Sequence, residues 1–165
     1  MSAVLPADDL IAIQTLVHTY ADAVVHRDAT QWGRCWAQDA RWDLGRGRLV
    51  EGRKAIVDLW LSAMGGFAAV VQTVQNGHAW PTVDADAAAS SAAGRWYISE
   101  RFARADGTRG ILLAHYEDTY VRSDSEAWQF ASRSLQPHYM GPPDLSGDFI
   151  NTADGLRARG LTADV

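Results

Sequence analysis

Near the start of the chain, apolar positions recur at helical spacing. Ile13, Val17, Tyr20 and Val24 fall four, three and four residues apart, which is one face of an amphipathic helix. Asp28 stands three residues before Gln31, an arrangement that caps a second, short helix carrying Trp32, Cys35 and Trp36 on one side. The pattern therefore predicts a helical arm from Asp8 to about Ala40. Residues 40–50, ARWDLGRGRLV, read as a short hairpin turning at Gly45 and Gly47. From Gly52 to Met64 helical spacing returns, with Ile56, Leu59, Trp60 and Ala63 as the stripe, and Gly65-Gly66 ends it.

Beyond Ala68 the period falls to two. Four strand-like stretches follow, Ala69 to Val83, Ala88 to Arg104, Arg109 to Arg122 and Ala127 to Tyr139. Their separators, Asp84-Ala85-Asp86, Asp106-Gly107 and residues 123–126, have hairpin chemistry, which predicts an antiparallel meander. Strands this long, against a typical ~5–6 residues, accumulate twist and bend at bulges. A bent sheet has a concave face that the helical arm is free to cover. The predicted class is α+β: a cone-shaped, curved antiparallel sheet closed by N-terminal helices. One domain is expected over residues 1–140, followed by a tail, 141–165, that caps the pocket or is partly disordered.

Composition narrows the function classes. The 165 residues suit one core, 47% are apolar and the net charge is −5. That acidity argues against nucleic acid or an anionic membrane as partner. No secretory signal opens the chain, and no apolar run reaches the ~20 residues of a membrane span. Cys35 is the single cysteine, so no internal disulfide forms, a cytoplasmic location is expected, and its thiol reads as buried and inert.

The order helix, short helix, hairpin, helix and four long strands resembles the SnoaL-like branch of the nuclear transport factor 2-like superfamily. The residues that carry the resemblance are Tyr20-Ala-Asp-Ala-Val, Asp28 with Trp32, Asp39-Ala40, Gly52-Arg-Lys-Ala-Ile, and Tyr116-Glu-Asp-Thr-Tyr-Val-Arg with Trp128. The match runs over roughly residues 8 to 139. Gly94-Arg-Trp-Tyr is similar to the bile-acid 7α-dehydratase group, and the Tyr116 to Arg133 stretch to hexachlorocyclohexane dehydrochlorinase. The resemblance implies an Asp on the first helix and a His on the strand after the third, a dyad in which the carboxylate orients the base. Those positions fall here on Val25 and Gln75, which can do neither.

Strand alternation puts Trp96, Ile98 and Glu100 on one side, so Glu100 is expected to face the pocket as a general acid or base, alone or paired with Arg133. Glu100 also falls where the bile-acid dehydratase group has a functional Asp, and Arg133 where the dehydrochlorinase has an active-site Arg. Tyr20 faces inward, as a hydrogen-bond donor or as a core tyrosine. His78 is the candidate replacement base if the strand slips at Gly77. Tyr116 facing inward would turn His115 outward, and His138 sits near the expected rim. Trp36, Trp42, Trp60 and Trp96, with Gln75, Ile98, Tyr116 and His138, are the candidate substrate contacts, either as pocket walls or, for the tryptophans, as core. No zinc-ligand spacing and no phosphate loop are present, so neither metal nor cofactor is expected.

Two readings follow. One is a cofactor-independent lyase or isomerase, dehydrating or deformylating, acting on a small aromatic or polycyclic molecule. The other is a non-catalytic ligand-binding protein or an accessory subunit like the small subunit of ring-hydroxylating dioxygenases. A homodimer or homotrimer is implied in either case.

Overall fold

The computed structural model describes residues 4–82, 91–122 and 127–150. Helix α1, Ala7–His26, buries Ile13, Leu16, Val17, Tyr20 and Val24, the predicted stripe with Leu16 added. It ends at Arg27, in the left-handed conformation. Helix α2, Ala29–Arg34, starts at Asp28, whose carboxylate accepts a hydrogen bond from the Gln31 backbone N–H. α2 is shorter than expected. Trp36 is not on a helix but opens strand β1, Trp36–Asp43. After the turn at Gly45 and Gly47, β2, Leu49–Glu51, pairs back on β1. Helix α3, Arg53–Met64, buries Ile56 and Trp60.

Four long strands follow: β3, Phe67–Pro81; β4, Ser91–Arg104; β5, Arg109–Arg122; and β6, Trp128–Gly141. They form the expected antiparallel meander. The whole sheet, however, is mixed. Its order is β2-β1-β6-β5-β4-β3, and β1 joins β6 in parallel, with Trp36 opposite Phe130 and Trp42 opposite Arg133. The sheet is curved and does not close, leaving β2 and β3 as its edges. The Asp106-Gly107 separator forms a tight turn, with Gly107 at φ 90°. The other two separators lie outside the described residues.

The core lies between the helices and the concave face. Its centre is aromatic: Trp32 stacks on Trp60 at 4.7 Å and meets Trp36 and Trp42 at 5.3 and 5.4 Å. Of the tail, residues 142–150 return to the end of β6, where Phe149 bridges to Tyr139 and packs on its ring at 4.7 Å. Among the described residues no helix is long and apolar enough to cross a membrane.

Candidate functional site

Alternation along β4 and β5 turns Trp96, Ile98 and Glu100, and Leu112, Ala114, Tyr116 and Asp118, toward the helices. All but Glu100 are buried; Glu100 is half-buried, at once shielded and reachable. Cross-strand register places Gln72 of β3 opposite Glu100, and the Gln72 amide N–H donates to Glu100 Oε2 at 2.8 Å. Burial pushes the Glu100 carboxyl above its usual range, and the Gln72 hydrogen bond only partly opposes that.

Arg133 does not pair with Glu100. Its guanidinium is buried and makes a two-point ion pair with Asp118, 2.8 Å at both oxygens. The rings of Tyr20, Tyr116 and Phe130 pack on it with centroids 4.3, 3.9 and 4.0 Å from the guanidinium carbon. Burial works against the arginine's charge, yet the Asp118 carboxylate beside it holds its pKa above the ordinary value. Asp118 also accepts from the Tyr120 hydroxyl at 2.9 Å, and that hydroxyl accepts from the Trp96 indole at 2.8 Å. Register explains the pairing, since Asp118 and Arg133 are direct cross-strand partners. A buried charge left without a partner is costly, so the nearest inward carboxylate takes the guanidinium.

Tyr20 and Tyr116 hydrogen-bond each other and face both Arg133 and Glu100. Burial raises both phenols, and Arg133 lowers them in part. Tyr20, Tyr116, Arg133 and Glu100 are thus brought together on the concave side. Cys35 is buried, its thiol pushed up to about 11 by desolvation, an inert setting.

The remaining candidates lie elsewhere. A bulge does fall between Val74 and Gly77, but it leaves His78 exposed against Trp80, opposite Arg95 on the outer side. A side chain at Gly77 would collide with the Trp96 indole, so β3 faces the core there with bare backbone. Gln75 is exposed as well. The inward residues of β3 are Val70, Gln72 and Val74, and Gln72 is the one that sequence reasoning missed; its parity with Val70 and Val74 was the available signal. His138 is on the outer face beside His115. Trp36, Trp42 and Trp60 face no opening, because their mutual ring contacts with Trp32 fill that end of the cone. Val25, at the family's Asp position, is half-buried and apolar.

Two open clefts are present, and of this cluster only Arg133 lines one of them, the first. One, of about 620 Å³, is lined by Asp39, Arg41, Asp43 and Ser134; the other, of about 560 Å³, runs between α1 and α2 past Thr15, Gln31 and Trp128. Neither includes Glu100. Among the described residues no three His, Cys, Asp or Glu side chains are grouped to hold a metal ion.

Comparison with known proteins agrees with this architecture. A type 2 hexachlorocyclohexane dehydrochlorinase (LinA) superposes with a TM-score of 0.70 at 19% identity, over 87% of this chain and 93% of that one. A candidate scytalone dehydratase from Novosphingobium aromaticivorans gives 0.69 at 19%, over 86% and 91%. A protein with a cystatin-like fold from Nostoc punctiforme gives 0.68 at 16%, over 88% and 100%. At such identities the likeness is one of fold. No curated protein matches the chain. The SnoaL-like domain family, however, matches residues 6–134, from the start of α1 to the Arg133 that closes the buried cluster, and the chain belongs to that family.

Proposed function

We propose that this SnoaL-like chain is a cofactor-independent lyase or isomerase in which Glu100 is the acid–base group. One observation carries the reading: Glu100 is a half-buried carboxyl on the concave face that receives a hydrogen bond from Gln72 and, among the described residues, no cation. A carboxyl whose pKa is raised by burial holds its proton to higher pH and is a stronger base when ionised than one locked in an ion pair. The Tyr20 hydroxyl, which feels the Glu100 charge, serves as a donor to developing negative charge, and Arg133 acts through Tyr20 and Tyr116 rather than on the substrate directly. The Oε1 of Gln72 is buried and has no partner among the described residues, leaving an acceptor for a ligand hydroxyl or amide. The aromatic surroundings suit a small aromatic or polycyclic molecule. Elimination of water or deformylation would use this toolkit.

The second reading, a binding protein or accessory subunit, is favoured by the tryptophan-filled end of the cone and by Val25 and Gln75 where the resemblance implies an acid and a base. A thermal-shift screen of hydroxylated aromatics and sterols supplies a ligand. With the resulting substrate, Glu100→Gln is expected to lower kcat by about 10²-fold or more with little change in binding. Full turnover in that variant would remove Glu100 from the chemistry. Binding without turnover in the wild type would favour the second reading.

A further inference from the structure

The polar pair at the edge of the concave cluster has one hydrogen bond where its atoms can make two. Gln72 and Glu100 are direct cross-strand partners, joined from Gln72 Nε2–H to Glu100 Oε2 at 2.8 Å. Gln72 is 6% exposed, and its Oε1 is buried without a partner among the described residues. A buried carbonyl oxygen with no donor is costly. The surroundings do not supply one. Val70 and Val74 flank Gln72 on the inward side of β3, and Leu112 stands opposite Glu100 on β5. Tyr20 of α1 and Tyr116 of β5, the titratable groups facing Glu100, bond each other, and Arg133 of β6 is held by Asp118. What is left is the carboxyl itself. A neutral carboxylic acid beside a carboxamide makes two parallel hydrogen bonds, O–H to the amide oxygen and N–H to the acid carbonyl. An ionised carboxylate makes only the second and leaves the amide oxygen without a donor.

We propose that Gln72 is a positioning residue that keeps Glu100 as the neutral acid, the Glu100 Oε1–H donating to Gln72 Oε1 while Gln72 Nε2–H donates to Glu100 Oε2. Exchanging the amide nitrogen and oxygen would not remove the need for that proton, since two oxygens would then meet at 2.8 Å. Burial of Glu100 favours the same form. This rests on Glu100 being the acid–base group, and it fixes where the cycle starts: Glu100 begins as proton donor. The group that takes the proton must replace Gln72 Oε1 as its acceptor. The substrate class therefore narrows to molecules with a hydroxyl or carbonyl oxygen at the reacting carbon. Once the proton has moved, the freed Gln72 Oε1 is open to the hydrogen of a ligand hydroxyl.

Isotope-edited infrared spectroscopy of the full chain, with carbon-13 at the Glu and Gln side-chain carbonyls, tests the pair without a substrate. At about pH 6, where ordinary carboxylates are ionised, a neutral-carboxyl band is expected that Glu100→Gln lacks. Gln72→Met, checked for native circular dichroism, is expected to move that band to higher wavenumber or remove it, because the acid loses both amide contacts. As pH rises through the Glu100 midpoint, one Gln carbonyl band is expected to move up in step, having lost its O–H donor, and not to move in Glu100→Gln. This arm holds even if Gln72→Met does not fold. No Glu100 band at about pH 6, a band unmoved in Gln72→Met, or Gln carbonyls indifferent to pH would each overturn the pairing. With a substrate, kcat is expected to fall as pH rises through the same midpoint; a rise would make Glu100 the base and overturn the donor role. Full turnover in Glu100→Gln beside an intact wild-type band would remove Glu100 from the chemistry and leave the pair standing. Lost turnover beside an absent band would sink the pair alone.

Discussion

At the scale of single residues, the two charged groups expected to pair have opposite fates, and each fate is measurable. Arg133 and Asp118 are 1% and 0% exposed at their side chains, so neither can be removed alone without leaving a buried charge. Arg133→Met is expected to cost about 3–5 kcal/mol in urea unfolding, and Arg133→Met/Asp118→Leu to regain most of it. A single variant as stable as wild type would show that the pair is not electrostatically coupled. Glu100 behaves the other way. Its folded-state pKa is raised, so its contribution is complete below the unfolded value near about 4.3 and is lost as pH rises through the folded value. Glu100→Gln cannot ionise. It should therefore melt with wild type at about pH 4 and above it at about pH 8. Calorimetry showing a pH-independent difference would contradict the raised pKa. Inward orientation of Glu100 was legible from alternation with Trp96 and Ile98. Its separation from Arg133 was not, because that depends on the register between β5 and β6, which no local pattern encodes.

Secondary-structure elements were legible where the period is long and clean. The stripes of α1 and α3 and the alternation of β4 and β5 appear in the structure at nearly the expected boundaries. β1 was not legible: its burial runs two in, two out, then one in, and so matches neither period. Tryptophans at Trp32 and Trp36 then mimicked helical spacing across what is in fact a helix end. The bulge in β3 was foreseen at Gly77, but its consequence was not. It turns His78 outward, because the position facing Trp96 must be glycine: an added Cβ would lie 2.3 Å from the indole and 2.6 Å from the Arg95 carbonyl oxygen. Gly77→Ala is accordingly expected to destabilise the protein by about 1–3 kcal/mol or more. Thermal unfolding indistinguishable from wild type would mean that Trp96 swings away at no cost.

Across the whole molecule, the packing separates two faces with different chemistry: a carboxyl and phenols inside the curve, imidazoles outside. Alternation foresaw part of this division, with Glu100 and Tyr116 inside and His115 outside, but not the outward placing of His78, which depends on the bulge in β3. The parallel pairing of β1 with β6 also carries a consequence in time. Trp36 reaches its ladder partner Phe130 only when the last strand is present, and the Cys35 carbonyl waits for the Phe130 N–H, 2.8 Å away. During synthesis the indoles of the amino-terminal third thus emerge long before their cover does. The nascent chain must carry a sticky aromatic surface until nearly all of it has left the ribosome, and truncation before β6 would leave that surface permanently bare.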